Sequence, residues 1–344
     1  MEADFYAQLD PAINSKTKKE IVIENISDGK VVPIIGGVFT DDLAFGSHDA
    51  LRNGWARFTR YPLANQQHDM ARIAQFAGIS QANDGLFDEA RIKKTYLDFL
   101  KAALQLRARS DPAISDDTRA AVAEEARNLT VSQLARRLNY PGQESPEQNA
   151  LLVLAQLPLP VFVTTCYHDF LEVALRESAG KEPQTEVCIW HEGLKRIPSV
   201  YDRERTYTPS KERPLVYHLH GFDAYPESLL LTEDDYLDFM YKIQENSYLN
   251  HARVKQALTE SSLVMVGYRP RDWDFRSVFR GVIKPRPPGM WKDSVAIQLE
   301  KDETIQEYIQ KYMRQAMFEV EWQEPGLFIR ELYTGWGSAD GRAA

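Results

Sequence analysis

Short apolar runs, each too brief for a helix and most ending on a glycine or a small polar residue, constrain this chain more than anything else in it. Val31-Val-Pro-Ile-Ile35 runs into Gly36-Gly37, and Pro160-Val-Phe-Val-Thr-Thr165 runs into Cys166. Leu215-Val-Tyr-His-Leu219 ends on His220-Gly221, and Ser261-Ser-Leu-Val-Met-Val266 ends on Gly267. Ser294-Val-Ala-Ile-Gln-Leu299 is a further run, and Phe318-Glu-Val-Glu-Trp322 alternates as a strand nearer an edge does. Such runs predict buried strands. Helix-period segments lie between them, so the expected fold is α/β: a Rossmann-like, doubly wound, mostly parallel sheet. Pro33 cannot donate to a ladder, which suggests a sheet edge or a strand start for its run.

The rest of the chain is arranged around that sheet. Residues 1–28 read as a helical entry with Ile13, Ile21, Ile23 and Ile26 on an imperfect apolar face. Residues 64–156 carry helical periodicity and almost no strand signal, and are expected to form a helical insertion; Thr130-Val-Ser-Gln133 in it resembles a capping box. Residues 180–212 are polar and irregular and read as surface loop, and 335–344 as a flexible tail. The whole of 1–344 is read as a single domain with that insertion.

Composition excludes several functions. A formal charge of −9 argues against a general nucleic-acid surface. No apolar run reaches the roughly 18–20 residues of a membrane span, and the first residues lack signal-peptide character. With two cysteines only, Cys166 and Cys188, a reducing cytoplasm is the expected location and a four-cysteine zinc ribbon is ruled out.

The chemically suggestive residues fall just after strands, where open α/β sheets place their ligands. Gly36 to Asp42 has the layout of a phosphate-cradling turn, a strand followed by glycines and then Thr40 and Asp41 ahead of a helix. His220 at a strand end can act as a base near neutral pH. The alternative is that His218 and His220 only satisfy hydrogen bonds there. Leu229 to Leu231 stops at Thr232-Glu-Asp-Asp235, a helix start with a side-chain cap.

Four segments together resemble the sirtuin-like domain of bacterial antiphage-defence NAD hydrolases. They are Thr164-Thr-x-Tyr-x-Asp-Phe-Leu-Glu172, Tyr217-His-Leu-His-Gly221, the run from Ser228 to Tyr236, and Gly267-Tyr-x-x-x-Asp-Trp-Asp-Phe-Arg276. The resemblance implies NAD as ligand and cleavage of the nicotinamide–ribose bond, with no metal. It implies His220 as the base, and Gly36, Gly37, Thr40, Asp41, Thr165, Gly221, Gly267, Tyr268, Asp272 and Asp274 as NAD-contacting residues. For Asp272 and Asp274, N-capping of the following helix is an equal alternative, with Arg276 as a partner for such a carboxylate. A homo-oligomer or a partner defence protein is also implied, and the amphipathic helices of 64–156 are candidates for self-association.

The chain departs from that family at two points. The expected Thr-Thr-Asn-Tyr-Asp reads Thr164-Thr-Cys166-Tyr-His168, so a thiol replaces the amide expected beside the ribose. The expected Gly-Ala-Gly-Val-Ser reads Gly36-Gly37-Val38-Phe39-Thr40. Two readings follow: an NAD-cleaving effector using His220 and Cys166, or a catalytically degenerate domain that holds NAD, ADP-ribose or another nucleotide. Cys166 as a nucleophile beside His168 or His220 is a lesser alternative.

Overall fold

The computed structural model describes residues 16–62, 69–80, 87–141, 149–245, 252–286, 288–299 and 302–339; Ile13 and Gly142 lie outside them. Seven strands form one sheet in the order β3-β4-β2-β1-β5-β6-β7. They are β1 Val31–Ile35, β2 Val161–Thr164, β3 Gln184–Val187, β4 Leu215–His218, β5 Ser262–Val266, β6 Ser294–Gln298 and β7 Phe318–Trp322. Every pairing is parallel, so the doubly wound α/β expectation holds.

Period-two alternation divides β1 between two apolar cores, one on each face of the sheet. Val31 and Ile35 join the first core and Val32 and Ile34 the second. The first face carries α1 Lys18–Ser27, the helices between β1 and β2, α9 Phe170–Ala179 and the last helix, α15 Pro325–Ala339. The second face carries α11 Glu233–Glu245, α12 Ala252–Glu260 and α14 Glu303–Arg314. It also carries α13 Trp273–Arg276 with its π-helical continuation Ser277–Ile283.

Pro33 sits in the middle of a central strand rather than at an edge. Gly36 N–H donates towards β5 and the Ile35 carbonyl accepts from β2, so the nitrogen of residue 33 faces β2. Pro33 has no N–H to give to β2, and the β1–β2 ladder accordingly starts only at Ile34↔Val163. Two other expectations change. Residues 180–212 hold the edge strand β3 and the short α10 Val200–Arg203. The segment from Gly335 to Ala339 is helical, not a free tail. Trp336 is buried and its indole donates to Ser27 Oγ at 3.0 Å, and a Cβ on Gly335 would come within 2.7 Å of Ile23. Two glycines disfavour that helix by about 1 kcal/mol each, which burial of a tryptophan offsets.

Between β1 and β2 come α2 Gly37–Ala44, α3 His48–Phe58, α4 Met70–Ser80, α5 Glu89–Ser110, α6 Asp116–Glu125, α7 Val131–Arg137 and α8 Ala150–Gln156. Side-chain caps start several of them: Ser47, Asp88, Ser115 and the Thr130/Gln133 capping box. This layer is tied to the sheet domain by a buried ion pair, Lys93 Nζ to Asp235 Oδ1 at 2.7 Å. The other oxygen of Asp235 accepts from Leu231 and Thr232 N–H, and Thr232 caps α11 in return.

The loops after β1 and β5 cross at closest range. A Cβ on Gly36 would lie 2.4 Å from the Gly267 carbonyl oxygen, and one on Gly267 would lie 2.5 Å from the Gly36 oxygen. Gly267 also has φ +81°. Gly267→Ala should therefore cost about 2–5 kcal/mol, a left-handed non-glycine residue plus a forced backbone shift. Gly46, with φ +82° and nothing near its Cβ position, should lose only about 1–2 kcal/mol as alanine. Urea unfolding of both variants tests this, and equal losses would show that the crossing is loose.

Candidate functional site

The strand order reverses at β1, with β2 on one side and β5 on the other, and ligands of such sheets bind beyond the strand ends there. A cavity of about 90 Å³ occupies that position. Gly37 and Asp41 reach it from α2, Thr165 to His168 from the loop after β2, and Asp272 and Asp274 from the segment after β5. The helical layer closes it with His48, Asp69 and Tyr96. Asp41, Thr165, Cys166, Asp272, Asp274 and Gly37 are thus brought together.

The first turn does not present the expected phosphate cradle. Gly36 N–H donates to the Val266 carbonyl at 2.9 Å, Val38 N–H to the Gly267 carbonyl at 3.2 Å and Phe39 N–H to the Gly36 carbonyl at 3.1 Å. Donors committed to the loop crossing are not free for an anion. The glycines Gly36 and Gly267 serve chain crossing. Tyr268 is buried beneath it, its hydroxyl 3.1 Å from Thr165 Oγ1. Thr40 lies off the cavity, with Oγ1 3.1 Å from Cys166 Sγ.

Burial pushes the Cys166 thiol up to about 12, so it is protonated at neutral pH and is no ready nucleophile. His168 lines the cavity with its ring stacked on Phe170 at 3.7 Å, and its Nδ1 has no partner. Burial lowers it to about 4, leaving a neutral imidazole.

The two histidines of β4 take different roles. The His218 ring nitrogens lie 3.0 Å from the Cys166 carbonyl and 2.9 Å from Glu172 Oε1. Both partners are acceptors, so both nitrogens donate and the ring is an imidazolium. Burial works against that charge, but Glu172 outweighs it and raises His218 above its ordinary value, while His218 holds Glu172 below its own. This buried pair fixes the Cys166 loop to β4 and α9. His220 does not line the cavity. Its Nε2 is 2.9 Å from Ser277 Oγ, its ring stands edge-on to Tyr236 and Phe239, and burial lowers it to about 3. Tyr236, a cavity residue, stands beside it. Gly221, at φ +98°, lets the next loop fold back, since a Cβ would meet the Ser228 oxygen at 2.4 Å.

What dominates the cavity is carboxylates, and sequence reasoning missed two of the groups involved, Asp69 and His48. Both belong to the helical layer, where no strand end or motif marks them. Asp41 Oδ2 is 2.6 Å from His48 Nδ1. Burial opposes charge on His48, but the bond to Asp41 and its charge raise its pKa. Burial and then Asp272 push Asp69 up to about 6, while its oxygens accept from Ala71 and Trp273 N–H. Burial raises Asp272 against the pull of His48 and Arg271. Asp274 goes well above the carboxylate range, through burial first and then Asp272 and Asp69. Asp272 stands at the N-cap position without a capping bond, and the Asp274 carboxyl accepts from its neighbour Phe275 N–H. Arg276 lies over the Trp273 ring instead of pairing with either.

Residues 160–318 match the family model of the SIR2-like domain. The match covers β2 to the start of β7, and leaves out β1, the first turn and the helical layer. It supports a sirtuin-like family for that part of the chain. No curated protein matches the chain at a significant level. Among the described residues no helix is long and apolar enough to cross a membrane.

A carboxyl whose pKa is raised on folding stabilises the fold least at high pH, because the native state resists losing the proton. Asp274→Asn should therefore raise the thermal midpoint at pH 8. That gain should shrink as pH falls through the raised pKa that Asp274 has in the fold and vanish near the unfolded carboxyl pKa of about 4. Melting curves across pH check it, and a pH-independent difference would mean Asp274 is ionised throughout.

Proposed function

We propose that this chain binds NAD with its nicotinamide–ribose end at the acidic cavity and breaks the bond between them. The observation that carries this is the combination of carboxyl groups and aromatic walls at the switch point of the sheet. Two further supports are the motif resemblance and the SIR2-like match, since SIR2-like domains bind NAD. A volume of about 90 Å³ is well below the ~300 Å³ of an ordinary ligand pocket, so it takes a fragment and not the dinucleotide. The fragment it suits is a flat cationic ring and the ribose carbon attached to it. The phosphates would lie outside, because the first turn has spent the Gly36 and Val38 donors.

In the reaction, the C1′–N bond breaks and its electron pair stays with nicotinamide, which leaves neutral. Water adds to C1′ and one proton is released. Positive charge develops at C1′ on the way, and fixed anions in a dry cavity stabilise it. Asp272 and Asp274 are pushed apart in acidity by their surroundings, as acid–base pairs are. Asp274 keeps its proton and donates a hydrogen bond, and Asp272 ionises and accepts the proton from water. The His48–Asp41 pair sets the local field.

The second reading is a domain that holds NAD, ADP-ribose or another nucleotide without turnover. Two observations favour it: His220 stands outside the cavity, and the Cys166 thiol is protonated and bonded to Thr40. A role in antiphage defence, with self-association or a partner protein, extends the motif resemblance and is part of the same proposal.

Nicotinamide release from NAD by the purified chain separates the readings. Asp272→Asn is expected to lower the rate about a hundredfold, the scale of losing one transition-state partner, with little change for His220→Gln. Absence of release, together with a rise in melting temperature on adding NAD or ADP-ribose, would establish the second reading through linkage. Cys166→Asn should raise release; a clear fall would give the thiol a direct part.

A further inference from the structure

A second concave site lies outside the cavity and has the opposite electrostatic character. It is a groove of about 740 Å³ between α11, α14 and the π-helical continuation of α13. Arg276, Arg280 and Lys284, each four residues from the next, line it, and among the described residues no carboxylate does. Trp273, Tyr308 and Tyr241 supply aromatic surface, and the two tyrosines are 65% and 62% exposed. Among the described residues neither Arg276 nor Arg280 has a carboxylate within ion-pair distance. Arg276 lies over the Trp273 ring at 5.9 Å, and Lys284 lies 5.8 Å from the Tyr312 ring centroid with its ammonium on Gln315.

On a chain of net charge −9, three cations beside exposed rings with no carboxylate among the described lining residues are out of keeping with the chain's overall balance. Arginine forks suit phosphate oxygens, and exposed rings suit a base face. The volume lies within the ~300–1,000 Å³ range of small-molecule sites. A longer polyanion would extend beyond the three cations over a chain of net charge −9, which disfavours it. An acidic peptide would leave the rings unused.

We infer that this groove is a binding site for a free nucleotide, its phosphates on Arg276, Arg280 and Lys284 and its base against the tyrosines. The site does not depend on the reading of the cavity. Trp273, which lines the groove, touches two residues of the cavity wall: its ring stacks on Tyr236 at 6.0 Å, and its main-chain N–H is bonded to Asp69. A ligand on Arg276 therefore contacts the same residue that anchors Asp69.

Calorimetric titration of the purified full chain with ADP tests this. ADP should bind, and adenosine and inorganic pyrophosphate should each bind at least tenfold more weakly, one lacking charge and the other the ring. The double variant Arg276→Gln/Arg280→Gln should weaken ADP at least tenfold and Tyr308→Ala several-fold, while the cavity variant Asp272→Asn stays within twofold. If the double variant melts early, Lys284→Gln and Tyr308→Ala read the same groove. The inference is overturned if ADP fails to bind at millimolar concentration, or if its affinity ignores the groove variants and follows Asp272→Asn. It is equally overturned if pyrophosphate, a dT oligonucleotide or a polyglutamate peptide binds as tightly as ADP.

Discussion

The crossing of Gly36 and Gly267 is the contact on which the site rests. Each residue occupies the space a side chain of the other would need, and two main-chain bonds, from Gly36 and Val38, lock the crossing. It sets the distance between the ends of β1 and β5, and so the approach of Asp41 to Asp272 and Asp274. The same glycines that suggest a phosphate turn in the sequence are consumed in holding two loops together. A glycine pair marks close backbone approach, but not what approaches.

The cavity's chemistry follows from confinement. Burial raises three aspartates that water would keep ionised, and Asp272 adds to the cost of charge on both Asp69 and Asp274. Of the two histidines that line the cavity, Asp41 favours charge on His48 by bonding to it, whereas burial keeps His168 neutral. His220 is held neutral between aromatic rings and a serine hydroxyl. Position after a strand brings a residue to the right end of the sheet, but the packing of α11 decides whether it faces the cavity.

Much of the sheet was legible in the sequence, since buried parallel strands leave short apolar runs that helices cannot imitate. Six of the seven strands were marked in this way. Gln184–Val187 escaped because an edge strand with a polar pattern looks like loop. The helix through Trp336 escaped because its glycines are tolerated only by the packing of Trp336 and Ile23 around them. The site was half legible. Residues that closely follow strand ends, Asp41, Cys166, Asp272 and Asp274, could be found by position, whereas His48 and Asp69 stand at the starts of helices whose periodicity speaks only of their apolar face.

Lys93 gives the helical layer a fixed point. It is almost without solvent contact, as is Asp235, and separating them would strand two charges in the interior, at a cost of about 3–5 kcal/mol. The helix α5 that carries it also carries Tyr96 and Leu100 of the cavity wall. That wall is consequently a fixed jaw. The helix α3, with His48 and Leu51 of the cavity, is held to the β5 side by the two-pronged contact of Arg269 with the half-exposed Asp49, and to α5 by Trp55, fully buried against Tyr96 and Phe99. Moving α3 to admit a larger ligand would unseat a tryptophan from the core, so the size of what enters is set by aromatic packing together with a buried ion pair.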